Sequence, residues 1–146
     1  MFGPMRAYGM RDATDGTTNV MFVGEASDFI YNSTGGKVVQ VGGAHGIMMG
    51  SPNLNYPARC PGCMFERQFN TTTVRYPPNA PAIDNDPNWP GIGDNYGQNN
   101  PLRSAHAGGV HILLVDGSVR FLNDNTDMLT VRALATRGDG RRIGDY

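Results

Sequence analysis

Residues 104–122, Ser104-Ala105-His106-Ala107-Gly108-Gly109-Val110-His111-Ile112-Leu113-Leu114-Val115-Asp116-Gly117-Ser118-Val119-Arg120-Phe121-Leu122, decide the fold. The longest strongly apolar strand signal of the chain, 110–115, runs into Asp116-Gly117 and then into a second run, 118–122. An Asp-Gly pair between two apolar runs predicts a hairpin with a two-residue type I′ turn, whose central residues both take positive φ. In that register Val115 pairs with Ser118. Period-two alternation then puts Val110, Ile112, Leu114, Val119 and Phe121 on one wholly apolar face, expected on the core. His111, Leu113, Val115, Ser118, Arg120 and Leu122 share the other, mixed face.

Working outward, the closing segment carries a helix signal. Asn123-Asp124-Asn125-Thr126 is a capping cluster, and 127–137 has helical spacing with Met128, Val131, Leu134 and Ala135 on one face. Asp124 and Asp127 suit the positive end of the helix dipole, Arg137 the negative end, and Gly138 the C′ position. Towards the N-terminus, residues 19–24 (NVMFVG) read as a strand ending at Glu25. Asp12 is expected to cap one helical turn over 12–15, and Asp15-Gly16 to turn the chain into that strand. Gly35-Gly36 precedes a strand over 37–41, and Gly42-Gly43-Ala44-His45-Gly46 reads as a turn leading to 47–49. Residues 51–101 hold nine of the ten prolines and form a long, loop-rich insertion with one short strand expected at 71–76. Within it Trp89 and Tyr96 either anchor the loop by burying their rings or form an exposed contact patch, with anchoring the expectation for the lone Trp89.

With 146 residues the chain is expected to form one domain with its own core. Twelve Lys+Arg against 13 Asp+Glu leave a net charge of -1. No basic stripe is available to neutralise phosphates, which argues against a nucleic-acid binder. No run approaches the ~20 apolar residues of a transmembrane helix. The opening MFGPMRAYGMRD lacks the basic and apolar regions of a signal peptide. Either a cytosolic protein or a chain whose export segment lies upstream fits that opening.

The residues with chemical potential have bland readings beside them. Cys60-Pro61-Gly62-Cys63 is half a zinc site at best, and a local disulfide is the expected state in an exported protein. His45, His106 and His111 form no triad by local spacing. His111 reads as an ordinary half-buried residue. His106 is expected to bond a backbone carbonyl or a carboxylate and so to fix the approach to the hairpin. Glu25 reads as a hydrogen-bonded residue at a strand end. Asp124 and Asp127, and separately Asp84 and Asp86, are oxygen-rich candidates for Ca²⁺ without the EF-hand pattern. Capping and solvated loop are their default roles. Arg137-Gly138-Asp139 spells an adhesion tripeptide at a helix end.

His106, nine intervening residues and Asp116-Gly117 resemble the closing motif of the H-X9-DG (DUF1559) family of bacterial prepilin-like proteins. Asp12-Ala13-Thr14-Asp15-Gly16-Thr17-Thr18-Asn19 with MFVGE, and Leu134-Ala135-Thr136-Arg137, look like two further segments of that family, in the right order. Carried over, His106, Gly108, Gly109, Asp116 and Gly117 are motif residues with a structural role. Family members typically begin with a prepilin leader and a long apolar helix, so this chain resembles their C-terminal globular portion. The resemblance implies an α+β, strand-rich, pilin-like domain with an antiparallel hairpin, long loops and a short C-terminal helix. It further implies a non-enzymatic structural subunit of a pilus-like or pseudopilin-like assembly, of the kind associated with type II secretion, at the bacterial cell surface. Its partners would be like subunits or other pilin-like proteins, with membrane contact only through an upstream helix. The alternative is a surface module that binds a glycan or Ca²⁺ through residues 84–100, with no other cofactor expected.

Overall fold

The structure, a computed structural model, describes residues 2–3, 6–27, 29–39, 72, 74–83, 86–90, 92, 99–141, 143–144 and 146. The fold is α+β: among the described residues, small antiparallel sheets with one short α-helix. The chain divides into two compact units. The first comprises Met1–Ser27, Tyr76–Ala80 and Pro101–Tyr146, the second Asp28–Arg75 and Pro81–Asn100. Among the described residues no helix is long and apolar enough to cross a membrane.

In the first unit, strands β1 (Phe2–Gly3) and β2 (Arg6–Ala7) form a short antiparallel ribbon. A 3₁₀ turn, Met10–Asp12, follows. Here Asp12 is not the cap but the last residue of the turn, and its carboxylate accepts the Gly9 N–H at 2.7 Å. The main sheet has the order β3 (Met21–Gly24), β6 (Gly109–Leu114), β7 (Val119–Asn123), antiparallel throughout. Strand β6 is central, as its apolar run demands.

The hairpin forms, but its register differs from the expected one. Leu114, not Val115, faces Ser118: the Leu114 N–H donates to the Ser118 carbonyl at 2.9 Å, and the Gly117 N–H to the Leu114 carbonyl at 3.0 Å. The loop is therefore Val115-Asp116-Gly117, a turn closed by one left-handed glycine at φ +89. Asp116 keeps negative φ and instead accepts the Ser118 N–H (2.9 Å) and hydroxyl (2.7 Å). Those two bonds, the hydroxyl first, hold its carboxyl below its ordinary value. Only glycine carries the strained φ, which spares Asp116 the steric cost of the type I′ alternative.

A one-residue slip turns a whole strand over. Val110 now opposes Leu122, and Leu113 opposes Val119. Leu122 joins Val110, Ile112 and Leu114 in the core, whereas Val119 and Phe121, expected inside, are 63% and 43% exposed. Arg120 lies on the Leu122 side, its guanidinium 5.8 Å from the Tyr146 ring. Among the described residues, Val20, Val131 and Leu134 complete the set of large, fully buried side chains, all of them in this unit.

The helix α1 is shorter than expected, Met128–Leu134. Asp127 caps it, its carboxylate accepting from Leu129 N (2.9 Å) and Thr130 N (3.3 Å). Val131, Ala133 and Leu134 are buried, while Ala135 is exposed beyond the end. Gly138 is thus not a C′ residue. It lies against Thr14, and Arg137 stacks on Tyr8 at 4.2 Å. Asp15 grips this tail, its carboxylate accepting from Asp139 N (2.8 Å) and Gly140 N (2.9 Å). The adhesion-like tripeptide is built into the fold.

In the second unit, β4 (Phe29–Tyr31) pairs with β5 (Lys37–Val39). The Asn32 side chain closes the intervening turn, accepting from Thr34 N, Thr34 Oγ1 and Gly36 N. The strand β4 was hidden by the loop-like composition of its surroundings. The strand expected at 71–76 is absent from residues 72 and 74–76: Val74 takes φ +52, outside the strand region. Residues 40–71, with Cys60 and Cys63, lie outside the described residues.

The three-residue loop makes two predictions. Gly117→Val forces a β-branched residue to positive φ and lowers stability by roughly 1–3 kcal/mol, read as a fall in Tm. Leu122→Lys abolishes folding, whereas Val119→Lys leaves Tm within a few degrees. The type I′ register requires the reverse for this pair.

Candidate functional site

The end of β3 and both ends of the hairpin approach meet at Glu25. Its N–H donates to the His111 carbonyl at 3.0 Å, which continues the β3–β6 ladder one residue past Gly24. Its own carbonyl turns away to accept the Arg103 N–H at 3.0 Å, and the Ser27 N–H returns to the Arg103 carbonyl at 2.8 Å. The segment before the hairpin thus runs parallel to residues 25–27. That turn leaves the His111 N–H without the backbone acceptor an antiparallel pair would give it. The Glu25 side chain takes the place: Oε2 accepts the His111 N–H at 2.9 Å, and Oε1 accepts the Ser104 hydroxyl at 2.7 Å.

The Ser104 oxygen in turn accepts the His106 N–H at 3.0 Å. This sets the backbone of His106 beside the carboxylate. The His106 ring lies with Nε2 3.8 Å from Glu25 Oε1, and His111 Nδ1 lies 3.5 Å from Oε2. The two imidazoles meet edge to face, with centroids 4.9 Å apart, and His111 packs likewise on Phe121 at 5.2 Å. One ligand-type atom from each of Glu25, His106 and His111 lies within 4.8 Å of the others. Partial burial raises the Glu25 pKa, but the His111 N–H, the Ser104 hydroxyl and the nearby His106 outweigh it. The carboxyl is held below its ordinary value.

A second polar clamp secures the same approach. Asn79 sits at φ +54, a conformation asparagine tolerates well, in the turn Pro77–Ala80. Its backbone N–H donates to the Leu102 carbonyl (2.8 Å), and its side-chain oxygen accepts the N–H of buried Ser104 (2.8 Å). Its amide donates to Asp124 Oδ1 (2.8 Å) and the Gly109 carbonyl (3.2 Å).

The motif residues therefore separate by role. Gly108 takes φ +83, and its carbonyl accepts the Asp124 N–H at 2.9 Å. Gly109 packs so tightly on the Leu122 carbonyl and the Phe121 ring that a Cβ has no room. Asp116 and Gly117 make the turn, at the opposite end of β6 from His106. The grouping of Glu25 with His106 and His111, and the part of Ser104 and Asn79, are not visible as local spacing. The signal available was indirect: VGE and the His motif are both segments of one family resemblance.

The oxygen-rich candidates are placed elsewhere. Asp127 caps α1, and Asp124 holds Asn79. Asp86 accepts the Asn88 N–H at 2.7 Å, while Asp84 lies outside the described residues, as do 85, 91 and 93–98 of the loop with Tyr96. Trp89 is half-buried in the second unit, where its N–H donates to the Asp86 carbonyl.

The family described as a protein of unknown function (DUF1559) matches residues 1–129. The chain belongs to the DUF1559 family. No curated protein and no solved structure matches it. The match takes in every residue of the junction, from Glu25 through Asn79 to Asp124.

Glu25→Ala leaves the His111 N–H and the Ser104 hydroxyl without their charged acceptor. A loss of about 2–3 kcal/mol in urea unfolding is expected. The sign of the pH effect follows from the lowered pKa. Glu25 stabilises the fold above its ordinary value, and the contribution is lost as pH falls through the lower folded value. Between about pH 4.3 and the acid transition, wild-type stability should fall more steeply than that of Glu25→Ala. Asn79→Ala, which orphans the buried Ser104 N–H, is expected to cost about 1–3 kcal/mol in the same assay.

Proposed function

We propose that the protein is a structural subunit of a pilus-like or pseudopilin-like assembly at the bacterial cell surface. Like subunits or other pilin-like proteins are its partners. The observation that carries this reading is the outer side of the main sheet. Val23, Leu113 and Val119 form a cross-strand row there, with Phe121 beside them. Val23 and Phe121 are each 43% exposed and Val119 63%. A contiguous apolar row on a sheet face is the kind of surface that marks a protein–protein contact. Support also comes from the employment of the motif residues. Gly108, Gly109, Asp116 and Gly117 shape the hairpin, and Glu25 and Ser104 secure its approach. Such a chain is organised to present a rigid sheet.

The test is electron microscopy and sedimentation of the protein from its native source, together with Val119→Lys and Phe121→Lys variants. Filaments or higher oligomers that either substitution dissolves, with Tm retained, are expected. A strictly monomeric native particle, unaffected by both substitutions, would reject the reading.

A further inference from the structure

We propose that Glu25, His106 and His111 form a binding site for a divalent transition metal of the zinc class. This lies beyond the assembly role and does not depend on it.

The donor set is two imidazoles and one carboxylate, which suits zinc and its neighbours rather than Ca²⁺ or Mg²⁺, whose ligands are oxygens. Metal–ligand bonds of about 2.0–2.1 Å set tetrahedral ligand–ligand edges of about 3.3 Å. The His106 Nε2–Glu25 Oε1 separation of 3.8 Å and the His111 Nδ1–Glu25 Oε2 separation of 3.5 Å, one to each carboxylate oxygen, are each within about half an ångström of that edge. One ligand atom from each of the three residues lies within 4.8 Å of the others, which groups the donors around one point.

The frame beneath the ligands is rigid. Glu25 and His111 are neighbours across the β3–β6 ladder, tied by the 3.0 Å backbone bond and the 2.9 Å bond from His111 N to Oε2. His106 is held through its N–H on the Ser104 oxygen. The Ser104 hydroxyl also donates to Glu25 Oε1, the outer partner that a ligating carboxylate requires to stay oriented. Each carboxylate oxygen retains a second lone pair for the metal beyond the one already engaged. The site is open on its outer side: the His106 and His111 side chains are 59% and 45% exposed. A fourth position is therefore accessible to water, or to a ligand atom from an adjoining molecule.

The chain has three histidines, which makes the test direct. Imidazole correlation spectra of the full-length protein are recorded during titration with zinc chloride near neutral pH. His106 and His111 should shift together and saturate at one zinc per chain, while His45 stays in place. Ca²⁺ and Mg²⁺ at the same concentration should move neither ring. In calorimetry, His106→Ala and His111→Ala should each weaken zinc binding about tenfold or more, and Cys60→Ser with Cys63→Ser should leave it unchanged. The wild-type spectrum decides the question even where a variant fails to fold. Absence of any shift at His106 and His111 overturns the site. So does zinc affinity that survives both histidine substitutions, or that disappears with the cysteines.

Discussion

The first unit depends on one carboxylate replacing a backbone carbonyl. At the end of β3 the chain must leave the sheet to run beside the approach to the hairpin, so the Glu25 carbonyl is given to Arg103. In an antiparallel ladder that departure strands an N–H on the central strand. Glu25 Oε2 accepts that N–H and Oε1 holds Ser104, so a single side chain ties the end of β3 to both the hairpin approach and β6, some eighty positions away. A shorter aspartate or an apolar residue does not do both. The lowered pKa of the group reflects the same geometry, donors converging on a carboxylate that is only partly buried.

Around that junction the polar groups work in sequence. Asn79 fastens Ser104 and the start of β6 to Asp124 after β7, so both hairpin strands are held at their open end. The closed end is set by Asp116 and Gly117. Between these two fixed ends the register has no freedom, and this settles which residues are inside. Val110, Ile112, Leu114 and Leu122 are buried, and Val119 and Phe121 are left outside. The exposed row and the His–Glu cluster share the outer side of the sheet, where His111 touches both Glu25 and Phe121. The exposed apolar row and the His–Glu cluster thus follow from the pairings of β6 with its two neighbours.

Much was legible in the residues themselves. The apolar run of β6, the strand ending in VGE and the buried Val131 and Leu134 follow from period, which is local; the cap is Asp127, one residue past the expected cluster 123–126. The family was legible because three segments occur in order. The turn type was not. Asp-Gly satisfies both a two-residue loop with two positive φ values and a three-residue loop with one, and the choice between them is made by what the strands then bury. Val74 and Asn79, the two non-glycine residues at positive φ among those described, belong to a proline- and asparagine-rich stretch whose composition signals turns without specifying them.

The strands β3 and β6, the closing helix and the family could be read from the residues alone, because they depend on neighbours within a few positions. The face of β7, and with it the exposure of Val119 and Phe121, was set by the three-dimensional packing. That packing also decided the meeting of Glu25 with His106 and His111, residues some eighty positions apart. A strand pair admits alternative registers of similar local quality, and long-range hydrogen bonds such as those of Glu25 select among them. No local pattern encodes that selection.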